Sequence, residues 1–219
     1  MSEAVRVYTP AEAAVVSNVG LKAVHNAIDK RIVETVPKPA SPGGRSSGRV
    51  ITSEGLVRLK LWYGVGGVLP ADRRQRLFDA IKAEPSAKMV RADDFLIVDV
   101  AEARKQVAAR VRELDEAELG IHRVKGVMGG EAVFKGTRIP VRLVAAMLAQ
   151  GADKSEILEG YPKLSPRMLE LATFWVAAHP HRGRPKTLSA QGYKLKSSRR
   201  TSLKGDPRPS LPKKGGEPA

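Results

Sequence analysis

Apolar positions in the first sixty residues follow a helical period that polar turns interrupt. In "YTPAEAA", Thr9 is placed to cap a helix, Pro10 suits its first turn, and Glu12 is spaced to reach back and complete a capping box. Ala13 and Ala14 allow a second helix to approach closely. Asn18 suits a left-handed turn, and Val24 and Ile28 point inward from a helix expected over Leu21 to Arg31. That orientation leaves Lys22, His25, Asn26, Asp29 and Lys30 on the outer face. A loose Gly/Pro/Ser loop, "SPGGRSSGR", then leads to a short strand and a further helix ending near Tyr63. Gly64, Gly66, Gly67 and Pro70 read as a hinge, which sets a boundary near residue 66.

Asp72 to Lys82 carries Leu77, Phe78 and Ile81 at helical spacing. "AKMVRADDFLIVDV" reads as two short strands around Ala92-Asp93-Asp94, and Asp99 with Glu102 marks the start of a helix that should end near Gly120. In "GGEAVFKGTRIPVRLVAAMLAQG", two short strands are expected on either side of the Lys135-Gly136-Thr137-Arg138 turn, Val133 and Phe134 before it and Ile139 and Val141 after it. Three helices follow. The first shows Leu143, Val144, Met147 and Leu148 on one face and closes at Gly151; the second starts at Asp153, capped reciprocally with Glu156. The third has Ser165 as its cap, Pro166 at its first position, and Leu169, Ala172 and Val176 facing inward.

Charge changes the picture beyond Pro180. Residues 181–219 hold 11 Lys and Arg against two acids, nine of the net fifteen positive charges of the 219-residue chain. With few sizeable apolar groups, this stretch is expected to be a disordered interaction arm. The fold class expected is mainly α with short β-hairpins: residues 1–66 a winged helix-turn-helix, 67–120 a helix/β-hairpin/helix connector, 121–180 a trihelical, helix-turn-helix-like module, and 181–219 a disordered basic tail. The basic balance points to nucleic acid or an acidic protein as partner. The absence of cysteine excludes disulfides, thiol nucleophiles and thiolate zinc sites and suits a cytoplasmic protein. Neither a leader nor a membrane-spanning run is read in the sequence, and no membrane partner is expected.

The stretch from "YTPAEAA" to "TSEGLVRLKLW" resembles the winged helix-turn-helix domains of the MerR type, with "PASPGGRSSGRVI" as the wing, although Asn18-Val19-Gly20 departs from that pattern at the turn. The resemblance implies a recognition helix, in which Asn26 is suited to adenine and Lys22, Lys30 and Arg31 to guanine or phosphate, with His25 on the same face. Arg45 and Arg49 of the wing would reach phosphates or the minor groove.

Residues 129–178, with a glycine pair, an apolar strand, "KGTRIPV" and "EIL..YP.L" between helices, resemble the bacterial family known as domain of unknown function 433. The resemblance implies a self-dimerising, DNA-binding antitoxin of the VapB-like kind, whose partner is a PIN-type ribonuclease toxin. Lys135 to Arg138 lacks the glycine-spaced run of a phosphate-binding loop, so no nucleotide is expected. Arg138 and Arg142 are candidate DNA or dimer contacts, a solvated hairpin arginine being the alternative for Arg138.

"PHRGRPK" contains the Arg-Gly-Arg-Pro core of the AT-hook, which lies in narrow A·T minor grooves. The antitoxin resemblance instead implies that Arg182, Arg184, Lys186, Arg199 and Arg200 face the carboxylates of a nuclease, with Tyr193 and Leu195 as apolar anchors.

His179 and His181 form a His-x-His pair, with no Cys and no nearby carboxylate to complete a metal site, so a surface pair is expected and no metal or other cofactor. No serine sits on a nucleophile turn, so no enzyme is expected. The expected function is an antitoxin and autorepressor binding a PIN-type ribonuclease toxin and operator DNA, as a homodimer through residues 121–180. The alternative is a stand-alone regulator or nucleoid protein with an AT-hook-like tail; an RNA-binding module is disfavoured by four Phe, four Tyr and two Trp in the whole chain.

Overall fold

Local capping chemistry starts the chain's first helix. In the computed structural model, which describes residues 6–37, 48–65, 68–124 and 128–181, strand β1 (Val7–Tyr8) runs into helix α1 (Pro10–Ser17). Glu12 N donates to Thr9 Oγ1 at 3.4 Å, and Thr9 N donates to Glu12 Oε2 at 2.8 Å, so both halves of the capping box form. Asn18 ends α1 in the left-handed region (φ 56°, ψ 47°), a conformation its short polar side chain tolerates. The turn Asn18-Val19-Gly20 then leads directly into α2 (Leu21–Asp29).

Strands β2 (Thr35–Pro37) and β3 (Arg49–Thr52) pair antiparallel, Val36 opposite Val50, and β1 closes the other side of β3 with Tyr8 opposite Ile51. Helix α3 (Ser53–Val65) follows at once. Ala13, Val16, Val24, Ile28, Ile51, Leu56 and Leu59 fill the space between these elements. Ser17, the one buried polar residue among those described, donates from Oγ to the Leu56 carbonyl at 3.0 Å, so its burial leaves no unmet hydroxyl.

Helix α4 (Ala71–Ala83) and the hairpin of β4 (Met89–Arg91) and β5 (Ile97–Asp99) form the next layer. Its core gathers Leu69, Leu77, Phe78, Val90 and Val98. Asp99 Oδ1 accepts from Glu102 N at 2.8 Å and opens α5 (Val100–Gly120), 21 residues long. At 1.5 Å per residue such a helix spans roughly 30 Å, and it reaches all three cores. Val100 and Ala103 pack with the α4 and hairpin residues, Val107 and Leu114 with the α1–α2 unit, and Ala117 with the C-terminal helices. Residues up to Pro180 consequently form one compact unit.

In the C-terminal part, β6 (Ile121–Arg123) pairs antiparallel with β7 (Ala132–Phe134), Ile121 opposite Phe134. Among the described residues between them is a 3-10 turn, Met128–Gly130. This corrects the hairpin expected across the Lys135–Arg138 turn. Beyond that turn only Pro140 makes an isolated bridge, to Val133. Proline has no N–H to give a ladder, and the tight turn closes on itself first: Thr137 Oγ1 donates to the Phe134 carbonyl at 2.9 Å and accepts from Ile139 N at 3.0 Å. Gly136 supplies the positive φ, 77°, that this turn needs.

Helices α6 (Val141–Ala149), α7 (Lys154–Gly160) and α8 (Pro166–Ala178) complete the unit. The buried face of α6 is Val141, Val144 and Ala145, while Leu143 is exposed, a rotation from the face expected. The α7 cap is local to Asp153 and Ser155, with Ser155 N donating to Asp153 Oδ1 at 2.7 Å, in place of the expected reciprocal pair with Glu156. Ser165 caps α8 and Pro166 occupies its first turn, as the sequence predicts. Leu169, Ala172 and Trp175 are buried on α8, with Val176 only partly so. The fold is thus mainly helical with short antiparallel strand pairs.

Candidate nucleic-acid interface

Helix α2 divides sharply into two faces. Val24, Ala27 and Ile28 are buried, and Lys22, His25, Asn26, Asp29 and Lys30 are exposed. Tyr63 OH of α3 donates to the Ala23 carbonyl of α2 at 2.6 Å. The helix before it is held as well: Val19 N donates to the Ala14 carbonyl of α1 at 2.9 Å, and Arg110 Nε of α5 donates to the Val15 carbonyl at 2.8 Å. Arg31 leaves α2 with φ 54° and is itself exposed.

Arg49, at the start of β3, places Nη2 3.1 Å from Asp29 Oδ1, so the strand pair meets the C-terminal end of α2. Both side chains are more than half exposed, and a polyanion could exchange for this surface pair at small cost. Lys22, His25, Asn26, Lys30, Arg31 and Arg49 are therefore gathered along one helix and the adjoining strand. Arg45 lies outside the described residues.

The two arginines expected as contacts on the C-terminal helices part ways. Arg138 is exposed beside its turn, whereas Arg142 turns inward: its Nη2 donates to the His179 carbonyl, and its guanidinium lies 5.7 Å from the centroid of the Trp175 ring. Partial burial holds the Arg142 pKa below the ordinary arginine value, as does the nearby charge of Arg123. Arg142 thus ties α6 to the end of α8 and is not free to reach a ligand. Arg182, Arg184, Lys186, Tyr193, Leu195, Arg199 and Arg200 all lie outside the described residues.

His179 is not simply half of the surface pair expected with His181, since its side chain is largely covered. Its ring stacks on Trp175, centroids 4.5 Å apart, and its ligand nitrogen comes together with carboxylates of Glu12 on α1 and Glu118 on α5, all within 4.8 Å of one another. No local signal could have found this cluster, because its members lie more than a hundred residues apart at the extremes and meet only through the packing of three helices.

A short strand pair, a self-closed K-G-T-R turn and three helices, the last two with side-chain caps, are what set residues 121–174 apart, and these residues match the family model described as Protein of unknown function (DUF433). Residues 121–174 are a DUF433 domain. The chain is 28% identical over 207 residues to the uncharacterized protein y4eO of Sinorhizobium fredii, covering 87% of this chain and 90% of that protein. Among solved structures, a DUF433 member protein from Anabaena variabilis is 25% identical, with a TM-score of 0.28, and covers 51% of this chain and 91% of its own. Rv2018 from Mycobacterium tuberculosis is 17% identical, with a TM-score of 0.33, over 76% of this chain and 96% of its own. The matched residues begin where α5 ends, and Ala117 of α5 packs into their core from outside the match. Among the described residues no helix is long and apolar enough to cross a membrane.

Proposed function

We propose that the chain is a DNA-binding regulator in which α1 and α2 form a helix-turn-helix, α2 is the recognition helix, and β2–β3 is the base of a wing. The observation that carries this reading is the outer face of α2. A short helix exposes Lys22, His25, Asn26 and Lys30 while its opposite side is fully packed, and an arginine-bearing strand adjoins its C-terminal end. A helix of about 12 Å overall diameter fits the major groove, where Asn pairs with adenine and Lys with guanine. Arg31 and Arg49 then fall at the edge of the face, where phosphates pass.

The regulator acts, in this proposal, as the antitoxin of a VapBC-like pair, repressing its own operon and neutralising a PIN-type ribonuclease. That part rests on the DUF433 domain and on the nine net positive charges of residues 181–219, suited to a carboxylate-lined nuclease groove. Dimerisation through the DUF433 domain belongs to the same proposal and would set two α2 helices on a pseudo-palindromic site. The test is binding to duplex DNA from the chain's own upstream region. Lys22→Ala and Asn26→Ala should each weaken specific binding, and Asn26→Ala should relax preference at one base position.

A further inference from the structure

We propose that Glu12, Glu118 and His179 form a binding site for one first-row divalent cation, with Zn2+ as the probe. Each residue comes from a different helix or helix end: Glu12 from α1, Glu118 from α5, and His179 from the cap of α8. Their ligand atoms lie within 4.8 Å of one another.

The hydrogen bonds around the cluster decide which atoms face its centre. His179 Nδ1 lies 3.0 Å from the Trp175 carbonyl, which only accepts, so Nδ1 is spent on that bond and Nε2 is the ring nitrogen turned to the cluster. Nε2 lies 3.5 Å from Glu12 Oε1. Glu12 cannot turn away, because its Oε2 is held by Thr9 N in the capping box. Glu118 is touched at Oε2 by Arg6 Nη2 at 3.5 Å, while Arg6 makes its closer contact with Asp115, so the hold on the Glu118 carboxylate is a long one. Three groups able to ligate thus converge, and a cation among them would take the place of any proton on Nε2.

The donor set selects the class of ion. One imidazole nitrogen and two carboxylates are three donors of types that zinc accepts, leaving a fourth position for water. Calcium asks for six to eight oxygens, and cuprous ions favour sulfur, which this site lacks. The Trp175 carbonyl orients the imidazole as outer-shell acceptors do in metal sites. Partial exposure of the three side chains gives the ion a way in. A bound ion would fasten α1, on which α2 is mounted, to α5 and to the last turn of α8.

The experiment uses the full chain, stripped with a chelator and then titrated with zinc chloride by calorimetry. In parallel, cobalt(II) quenching of tryptophan fluorescence is followed, since Trp175 stacks on the proposed ligand. One ion per chain should bind, with matching quenching. Glu118→Gln and His179→Ala should each weaken it by about tenfold or more, the lower bound set by loss of an outer-shell partner. His122→Ala, on β6 and outside both proposed sites, should leave it unchanged. Glu118→Gln alters an exposed carboxylate, so the test stands even if His179→Ala does not fold. Absence of saturable one-to-one binding, full retention of it in Glu118→Gln, or its loss in His122→Ala would overturn the assignment.

Discussion

Single residues with no exposed chemistry hold the packing behind α2 in place. Gly55, in the first turn of α3, has no room for a side chain: a Cβ would stand 2.6 Å from Ile51 Cγ2 and 2.9 Å from Val33 Cγ1. Both neighbours are buried and cannot step aside. Overpacking of that kind costs about 1–3 kcal/mol, against a gain of about 1 kcal/mol from replacing a helix glycine by alanine. Gly55→Ala should therefore lower stability in urea by about 1 kcal/mol, and an increase would show that the Val33–Ile51 packing is looser than described. Asn18 illustrates the opposite case, a residue whose role is legible from its type alone because left-handed turns favour it. Arg142 was not legible, since its partners are on α8 and only folding brings them near.

At the scale of elements, what could be read from the sequence was what local bonds determine. The α1, α5 and α8 caps span three residues each and were anticipated; so were the β4–β5 hairpin and the closure of α6 at Gly151. The partner of β7 was not, because a strand of three residues carries no mark of which edge it will join, and Pro140 removed the nearest candidate. The buried face of α6 was misjudged for a related reason: Leu143 fits the period, but what covers that face is set by α8.

Helix α5 is the element on which the cores depend. Leu114 is fully buried where α5 meets the α1–α2 unit. Leu114→Ala should cost about 2–5 kcal/mol, read as a single unfolding transition in which the signals of Trp62 and Trp175 are lost together. Two separated transitions would mean that α5 does not couple the cores.

Helices α5 and α8 are also joined on the surface. Arg167 Nη2 lies 2.6 Å from Glu116 Oε2, and its hydrogen bond holds the Glu116 carboxyl below the ordinary glutamate value of 4.5. A depressed folded pKa means that the contribution is complete above the unfolded value and is lost as pH falls through the folded one. Both groups are well exposed, so the effect is small. The gap in melting temperature between the native chain and Glu116→Gln should narrow as pH is lowered from 6 towards 3. A constant gap would remove the ion pair from the account of stability.

For the whole molecule, the proposals divide labour between the α2 face and residues 181–219. Truncation after Pro180 should abolish co-purification of an acidic nuclease expressed with the chain while retaining most sequence-specific DNA binding. Loss of A·T-rich DNA affinity alone, with no protein captured by the full chain, would favour the stand-alone regulator with an AT-hook-like tail. The DUF433 domain contributes its core and the mounting of α5 in either case, and its exposed Arg138 stays available to DNA or to a second copy.

The most direct measurement is fluorescence anisotropy of the full chain on upstream duplex DNA across a salt series, with and without the paired change Lys22→Ala and Asn26→Ala. The account predicts specific binding whose affinity falls linearly in log–log form with salt, and a paired variant reduced to the level of unrelated duplex while its melting temperature is unchanged. Binding equal in the native chain and the variant, or no preference for upstream over unrelated DNA, would contradict it.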